Sequence, residues 1–246
     1  MGEVLAVLSG KGGTGKTSVC AGLASALAEA GKKILCVDCD VGLRNLDISL
    51  GLTEGAALSF LDVASGNYPL SDAARHPVYP SLSFLTAPMN CPVEKIETEP
   101  FRAMLRQARR EFDFILLDAP AGVDAGFRLV SAAAGRFLLV TGFGPASVRD
   151  AARVGDLLEL AGKNQVSLNV NRVDKGYLTQ CSQTVDDVMD TAGLPLTGVV
   201  LEDSNVTLAA AFEKPLLMYA PRCPAAKAFR KIARRLQGYP EPISLR

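Results

Sequence analysis

Apolar residues gather in short runs at 4–8, 34–37, 82–85, 114–117, 137–140, 166–170 and 199–201, unbroken except for Ser83, Ser167 and Asn169. Continuous rather than alternating runs are the mark of strands buried on both faces, as in a parallel sheet. Between them the spacing changes to that of a helix. Residues 17–30 carry Val19, Leu23, Ala26 and Leu27 in one stripe, and Gly31 ends it. Residues 101–111 place Phe101, Met104, Leu105 and Ala108 on one face and arginines on the other. Residues 147–160 repeat the pattern with Val148, Val154, Leu157, Leu158 and Leu160. Strand–helix alternation predicts an α/β, doubly wound, mostly parallel sheet with helices on both faces. No linker, repeat or low-complexity block interrupts it, so residues 1–246 read as one domain. The proline-bearing segments 68–80 and 88–92 predict surface loops.

Between the first predicted strand and helix lies Gly10-Lys11-Gly12-Gly13-Thr14-Gly15-Lys16-Thr17, a full match to GxxxxGK[ST]. The glycines let the backbone curl until several N–H groups, through Ser18, face one anion. The helix start adds its positive dipole end. Lys16 is placed to reach the β- and γ-phosphates and the Thr17 hydroxyl to bind Mg²⁺. A second lysine, Lys11, near the start of the loop resembles the deviant Walker A motif of the MinD/ParA superfamily. The resemblance implies a P-loop ATPase in which Lys11 crosses a dimer interface to the partner's nucleotide and supplies charge as an arginine finger does. Without it, Lys11 reads as a surface lysine that steers ATP.

Ligands of a parallel sheet sit beyond the carboxyl ends of its strands. Two acid clusters lie there: Asp38 and Asp40 after the second run, and Asp118 in Asp-Ala-Pro-Ala-Gly after a later one. In the family resembled, Asp40 matches the acid that positions the attacking water. Asp118 matches the switch acid near Mg²⁺, and Asp38 helps hold the Mg²⁺ shell. Taken alone, Asp40 also suits a helix cap or loop acid. At the end of the 166–170 run, Asn171 and Arg172 resemble the family's adenine-recognition segment, with Asn171 on the purine edge and Arg172 stacked on the ring. A strand-end turn built from Asn and Asp is the plainer reading. The segment also resembles the guanine-reading Asn-Lys-x-Asp, but arginine replaces the lysine, which favours adenine.

The resemblance covers nearly the whole chain and is strongest to the septum-site-determining (MinD) branch. It is carried by Gly42-Leu43-Arg44-Asn45-Leu46-Asp47, Pro120-Ala121-Gly122 with Gly126-Phe127, Ser147-Val148-Arg149-Asp150, Gly198-Val199-Val200 with Glu202-Asp203, and Lys214-Pro215-Leu216. It implies slow hydrolysis of ATP to ADP and phosphate and a homodimer in the ATP state. It also implies a MinC-like inhibitor as partner and control by a MinE-like or DivIVA-linked factor, in a cytoplasmic protein peripheral at the inner face of the cell membrane. That branch ends in a short lipid-inserting helix. This sequence stops where that tail would begin. Its last amphipathic basic helix, 225–237, sets Phe229, Ile232, Ala233 and Leu236 against Lys227, Arg230, Lys231, Arg234 and Arg235, and the short tail 238–246 opens with Gly238-Tyr239-Pro240. The helix is expected to pack on the sheet; contact with a lipid surface is the alternative.

Composition narrows the field. Twenty-six basic residues balance 26 acidic ones, so no global charge draws the chain to nucleic acid. The DNA-binding partition ATPases of the ParA type remain the alternative, through the basic last helix. The first apolar run lacks the flanks of a secretory signal. Six cysteines at 20, 36, 39, 91, 181 and 223 and a single histidine, His76, share no zinc-site spacing. Cys36 and Cys39 are expected on opposite faces of a strand, as core residues. Iron–sulfur carriers with a related phosphate loop need paired cysteines near the C-terminus, where only Cys181 and Cys223 occur. A degenerate, non-enzymatic scaffold is disfavoured by intact Lys11, Lys16, Thr17, Asp40 and Asp118.

Overall fold

The computed structural model describes residues 1–53, 57–174, 176, 180 and 184–243. Its strands are β1 (Glu3–Leu8), β2 (Ile34–Asp38), β3 (Ala74–Arg75), β4 (Leu82–Leu85), β5 (Phe114–Asp118), β6 (Arg136–Thr141), β7 (Val166–Val173) and β8 (Leu196–Leu201). They form one sheet in the order β3-β4-β2-β5-β1-β6-β7-β8. All neighbours are parallel except β3, which pairs antiparallel with β4 at the edge. The expected surface loop at 68–80 therefore contains an edge strand. Two residues among prolines carry too little pattern to reveal it.

The apolar runs have a direct cause. Along β1, Val4, Ala6 and Leu8 join one core and Leu5 and Val7 the other. The same alternation splits Leu35 and Val37 from Ile34 and Cys36. One core is covered by α3 (Phe60–Ala64), α4 (Thr98–Glu111), α5 (Ala125–Ala133), α6 (Pro145–Leu160) and α7 (Val185–Ala192). The other is covered by α1 (Lys16–Glu29), α2 (Leu46–Leu50), α8 (Ser204–Ala211), α9 (Leu216–Tyr219) and α10 (Pro224–Leu236). Cys36 and Cys39 lie in opposite cores, both buried, as expected. Cys181 lies outside the described residues.

The helix α1 departs from the expected single stripe. Every residue from Val19 to Ala28 is buried, because α10 and α2 cover the side that faces away from the sheet. Close approach is secured by glycine. A Cβ at Gly22 would lie 2.3 Å from the Phe229 ring, and one at Gly198 would lie 2.3 Å from Ile232. The last helix thus spends its apolar face on α1 and β8. Its basic face is also engaged: Arg230 pairs with Glu29, Arg234 with Glu241, and Arg235 donates to the Thr197 carbonyl. No helix among the described residues is long and apolar enough to cross a membrane.

His76 follows β3 and is 3% exposed. Its Nδ1 accepts from the N–H groups of Val78 and Tyr79, so Nε2 carries the proton and donates to the Leu50 carbonyl at 2.9 Å. Burial holds its pKa below the usual histidine value of 6.5. A folded-state pKa below the unfolded one means the unfolded chain binds the proton more readily. The stabilisation is therefore complete above about pH 6.5 and is lost as pH falls. Protonation of Asp38 near pH 7 acts in the opposite sense but equally on parent and variant, so thermal melts between pH 7.5 and 5.5 should show the midpoint of the parent dropping relative to that of His76→Gln. Equal changes would remove His76 from the account.

Candidate functional site

The parallel register brings the acids together. Asp38 at the end of β2 is paired in register with Asp118 at the end of β5, and Asp118 with Val7 of β1. The phosphate loop leaves β1 two residues further on and enters α1 through Gly15, whose left-handed φ of 83° suits glycine. All three elements point their carboxyl ends at one place, where strand connections diverge to either side of β1.

Lys16 is 7% exposed, with its Nζ 3.5 Å from Asp118 Oδ1. Burial lifts the Asp118 carboxyl above the usual range while Lys16 and Thr17 beside it pull it down. Asp38 is pushed up to about 7, first by burial and then by the charge of Asp118. Its Oδ1 accepts from Asp40 N and its Oδ2 from Leu46 N. Asp38, expected in the Mg²⁺ shell, therefore does visible work as the anchor of both ends of the 39–45 loop. Asp40 begins that loop, half-exposed, its carboxyl raised by burial and lowered by Lys16. Further along, Arg44 Nε donates to Thr86 Oγ1 at 2.9 Å and Leu43 stands exposed.

Lys11 is exposed near the start of the loop. A Cβ at Gly12 or Gly13 would meet nothing within 4 Å, so this part of the loop faces open space rather than packed core. Gly10 differs: its Cβ would lie 2.7 Å from the Asp150 carbonyl oxygen, which seats the loop against α6. The first turn of α1 has no side-chain cap, which leaves its N–H groups, through Ser18, to an anion. The Thr14 hydroxyl is buried without a hydrogen-bond partner, and Asp118 Oδ1 has only the 3.5 Å ion pair with Lys16. Triphosphate and Mg²⁺ fit this donor set: N–H groups and Lys16 for phosphate oxygens, and Thr17 with Asp118 for an ion. Magnesium ordinarily takes only one or two protein ligands beside phosphate and water.

Asn171 and Arg172 end β7 and meet the same loop. Asn171 Nδ2 donates to the Thr14 carbonyl at 2.8 Å. Because a carbonyl can only accept, this fixes the amide orientation and leaves Oδ1 as an acceptor. The Arg172 guanidinium is engaged within the protein. Its Nε and Nη2 reach Glu202 at 2.8 and 3.4 Å, and its Nη1 donates to the Gly13 carbonyl at 3.1 Å. A cavity of about 170 Å³ opens beside them, lined also by Gly15, Ser18, Asp203 and Val206.

The parts of Glu202 and Asp203 were not assigned from sequence. Asp203 caps α8 and also accepts from Ala225 N, tying the cavity wall to the start of α10. Their position directly after β8, on the same carboxyl edge as the other acids, was the available signal.

The profile of the CobQ/CobB/MinD/ParA nucleotide binding domain matches residues 5–216. The septum site-determining protein MinD of Synechocystis sp. is 37% identical over 246 residues, spanning 99% of this chain and 92% of that protein. Among solved structures, the MinC:MinD cell division protein complex of Aquifex aeolicus superposes with a TM-score of 0.91 at 32% identity, over 98% of each chain. MinD complexed with Mg-ADP from Pyrococcus horikoshii gives 0.84 at 28% identity over 96% of each chain. The chain therefore belongs to the CobQ/CobB/MinD/ParA nucleotide-binding family, in its MinD branch of cell-division ATPases.

Proposed function

We propose that this chain binds MgATP at its phosphate loop, dimerises face to face in that state, and hydrolyses ATP slowly to end it. The convergence of Lys16, Asp40 and Asp118 at one sheet edge, with Lys11 exposed on the same loop, is the observation that carries the reading. Lys16 and the loop N–H groups bind the phosphates. Thr17 and Asp118 would hold a Mg²⁺, which would neutralise phosphate charge. Asp38 fixes the loop on which Asp40 orients a water, and Lys11 of a second copy adds positive charge at the transferred phosphoryl group.

Asn171 supports adenine over guanine. With Nδ2 spent on Thr14, its Oδ1 can accept from an exocyclic amino group but repels a carbonyl at the same ring position. A MinC-like protein is the partner suggested by the Aquifex complex. A MinE-like or DivIVA-linked regulator and a place at the inner membrane face follow from the branch alone. The DNA-partition alternative has less support, because the arginines of α10 are paired within the fold.

The test is light scattering together with co-sedimentation on anionic liposomes, in MgATP and in MgADP. The expected result is a dimer in MgATP and a monomer in MgADP. A monomer in both would sink the switch. ATP-dependent lipid pelleting would add the membrane as target, and dimerisation without it would direct attention to a protein partner.

A further inference from the structure

Successive side chains of a strand point to opposite faces, yet Asn171 and Arg172, adjacent on β7, both reach the phosphate loop. Two features explain this. Val170 pairs with Val199 and Val173 with Leu201, so three steps along β7 match two along β8. That is the arithmetic of a bulge, which bends a strand and re-aims a side chain. Arg172 also has a φ of 56°, a conformation that costs a residue with a side chain roughly 1 kcal/mol or more. The local fold is thus held in an unfavourable form that turns both side chains one way.

Each side chain grips one carbonyl, Asn171 that of Thr14 and Arg172 that of Gly13. A trans peptide is planar, with C=O and N–H on opposite sides. Holding the Gly13 and Thr14 carbonyls toward β7 turns the N–H groups of Thr14 and Gly15 away from it, into the hollow of the loop. Gly15 admits the contact, because a Cβ there would stand 2.4 Å from Asn171 Nδ2. Glu202 holds the other end of the Arg172 fork through two oxygens and raises its pKa further above the usual value.

We propose that Arg172, held by Glu202, forms with Asn171 a clasp that presets two peptide planes of the phosphate loop for anion binding, one carbonyl to each side chain, with Arg172 a positioning residue rather than a base contact. The inference rests on the nucleotide reading above. An N–H already aimed at its anion need not be ordered on binding, so the gain appears in affinity for phosphate whatever base is attached.

The experiment compares MgATP with inorganic tripolyphosphate, which has no base, by calorimetry on the parent, Arg172→Ala, Arg172→Lys, Glu202→Ala and the double alanine variant. Both residues are about half exposed, so the variants should fold, which melting curves check. Arg172→Ala should weaken both ligands by the same factor, about tenfold, or ~1.4 kcal/mol. Lysine, able to reach only one of the two partners, should recover part of the loss. Glu202→Ala should cost about threefold alone and nothing further beside Arg172→Ala, as for members of one linked pair. In turnover the loss should appear in KM, with kcat within about twofold. A loss confined to MgATP would make Arg172 a base contact and overturn the clasp. A silent Glu202→Ala would do the same. If the parent binds both ligands and no variant differs, the clasp alone fails; if the parent binds neither, the nucleotide reading fails first.

Discussion

Lys16→Ala is expected to abolish nucleotide binding while leaving the fold intact. Lys16 is the buried cation facing Asp118, and its charge also lowers the carboxyl of Asp40. Without it, a triphosphate would meet crowded carboxylates and no buried side-chain counter-charge in the loop, Lys11 being exposed. Removing one partner of a buried charge pair costs roughly 3–5 kcal/mol where the remaining charge cannot escape. In the unliganded protein it can escape, because Asp38 already lies near neutrality at about 7 and Asp118 can take up a proton. Bound ATP has no such escape, so the loss falls on binding: more than about a hundredfold in Kd. Titration with a fluorescent ATP analogue reads this, and circular dichroism checks the fold. Binding within threefold of the parent would mean that the phosphates sit elsewhere.

The parts of this site that were legible in the sequence are those whose geometry is local. Residues 10–17 specify a turn, a helix start and a lysine within one contiguous stretch, so their pattern and their structure are nearly the same information. Asp38, Asp40 and Asp118 were legible for a weaker reason: each follows an apolar run, and a parallel sheet sends all such ends to one edge. What could not be read is set by tertiary contact. The Arg172–Glu202 pair spans 30 residues, and its direction depends on a bulge and a left-handed φ that no residue type announces. Arginine is among the last residues one would place at a positive φ. The role of Asp38 likewise turned on which backbone N–H groups its two oxygens meet. The fold followed the same division. The apolar runs identified seven strands correctly, whereas β3 exists because Ala74 and Arg75 pair with β4, not because their own pattern demands it. The burial of α1 on all sides depends on tertiary contacts such as that of Phe229 with Gly22.

Asp40→Ala should separate hydrolysis from binding. Of the three acids at the site, Asp118 is buried against Lys16 and Asp38 has both oxygens on backbone N–H groups. Asp40 is the half-exposed one, placed by Asp38 at the head of a loop within electrostatic reach of Lys16. A carboxylate so placed can orient a water and accept its proton, a contribution of about 10²–10⁴ in rate. Its removal takes a negative charge away from a polyanionic ligand, so affinity for ATP should hold or rise slightly. The ATP state then outlives its timer, and the dimer accumulates. Single-turnover hydrolysis should fall at least about a hundredfold, and light scattering in MgATP should show a dimer persisting long after the parent has returned to monomer. Asp40→Asn, which keeps the shape and loses the base, should behave nearly as the alanine variant does if proton acceptance matters, and nearly as the parent if orientation alone suffices. Parent-rate hydrolysis by Asp40→Ala would remove Asp40 from the water-positioning role and leave Asp118 as the remaining acid beside Lys16.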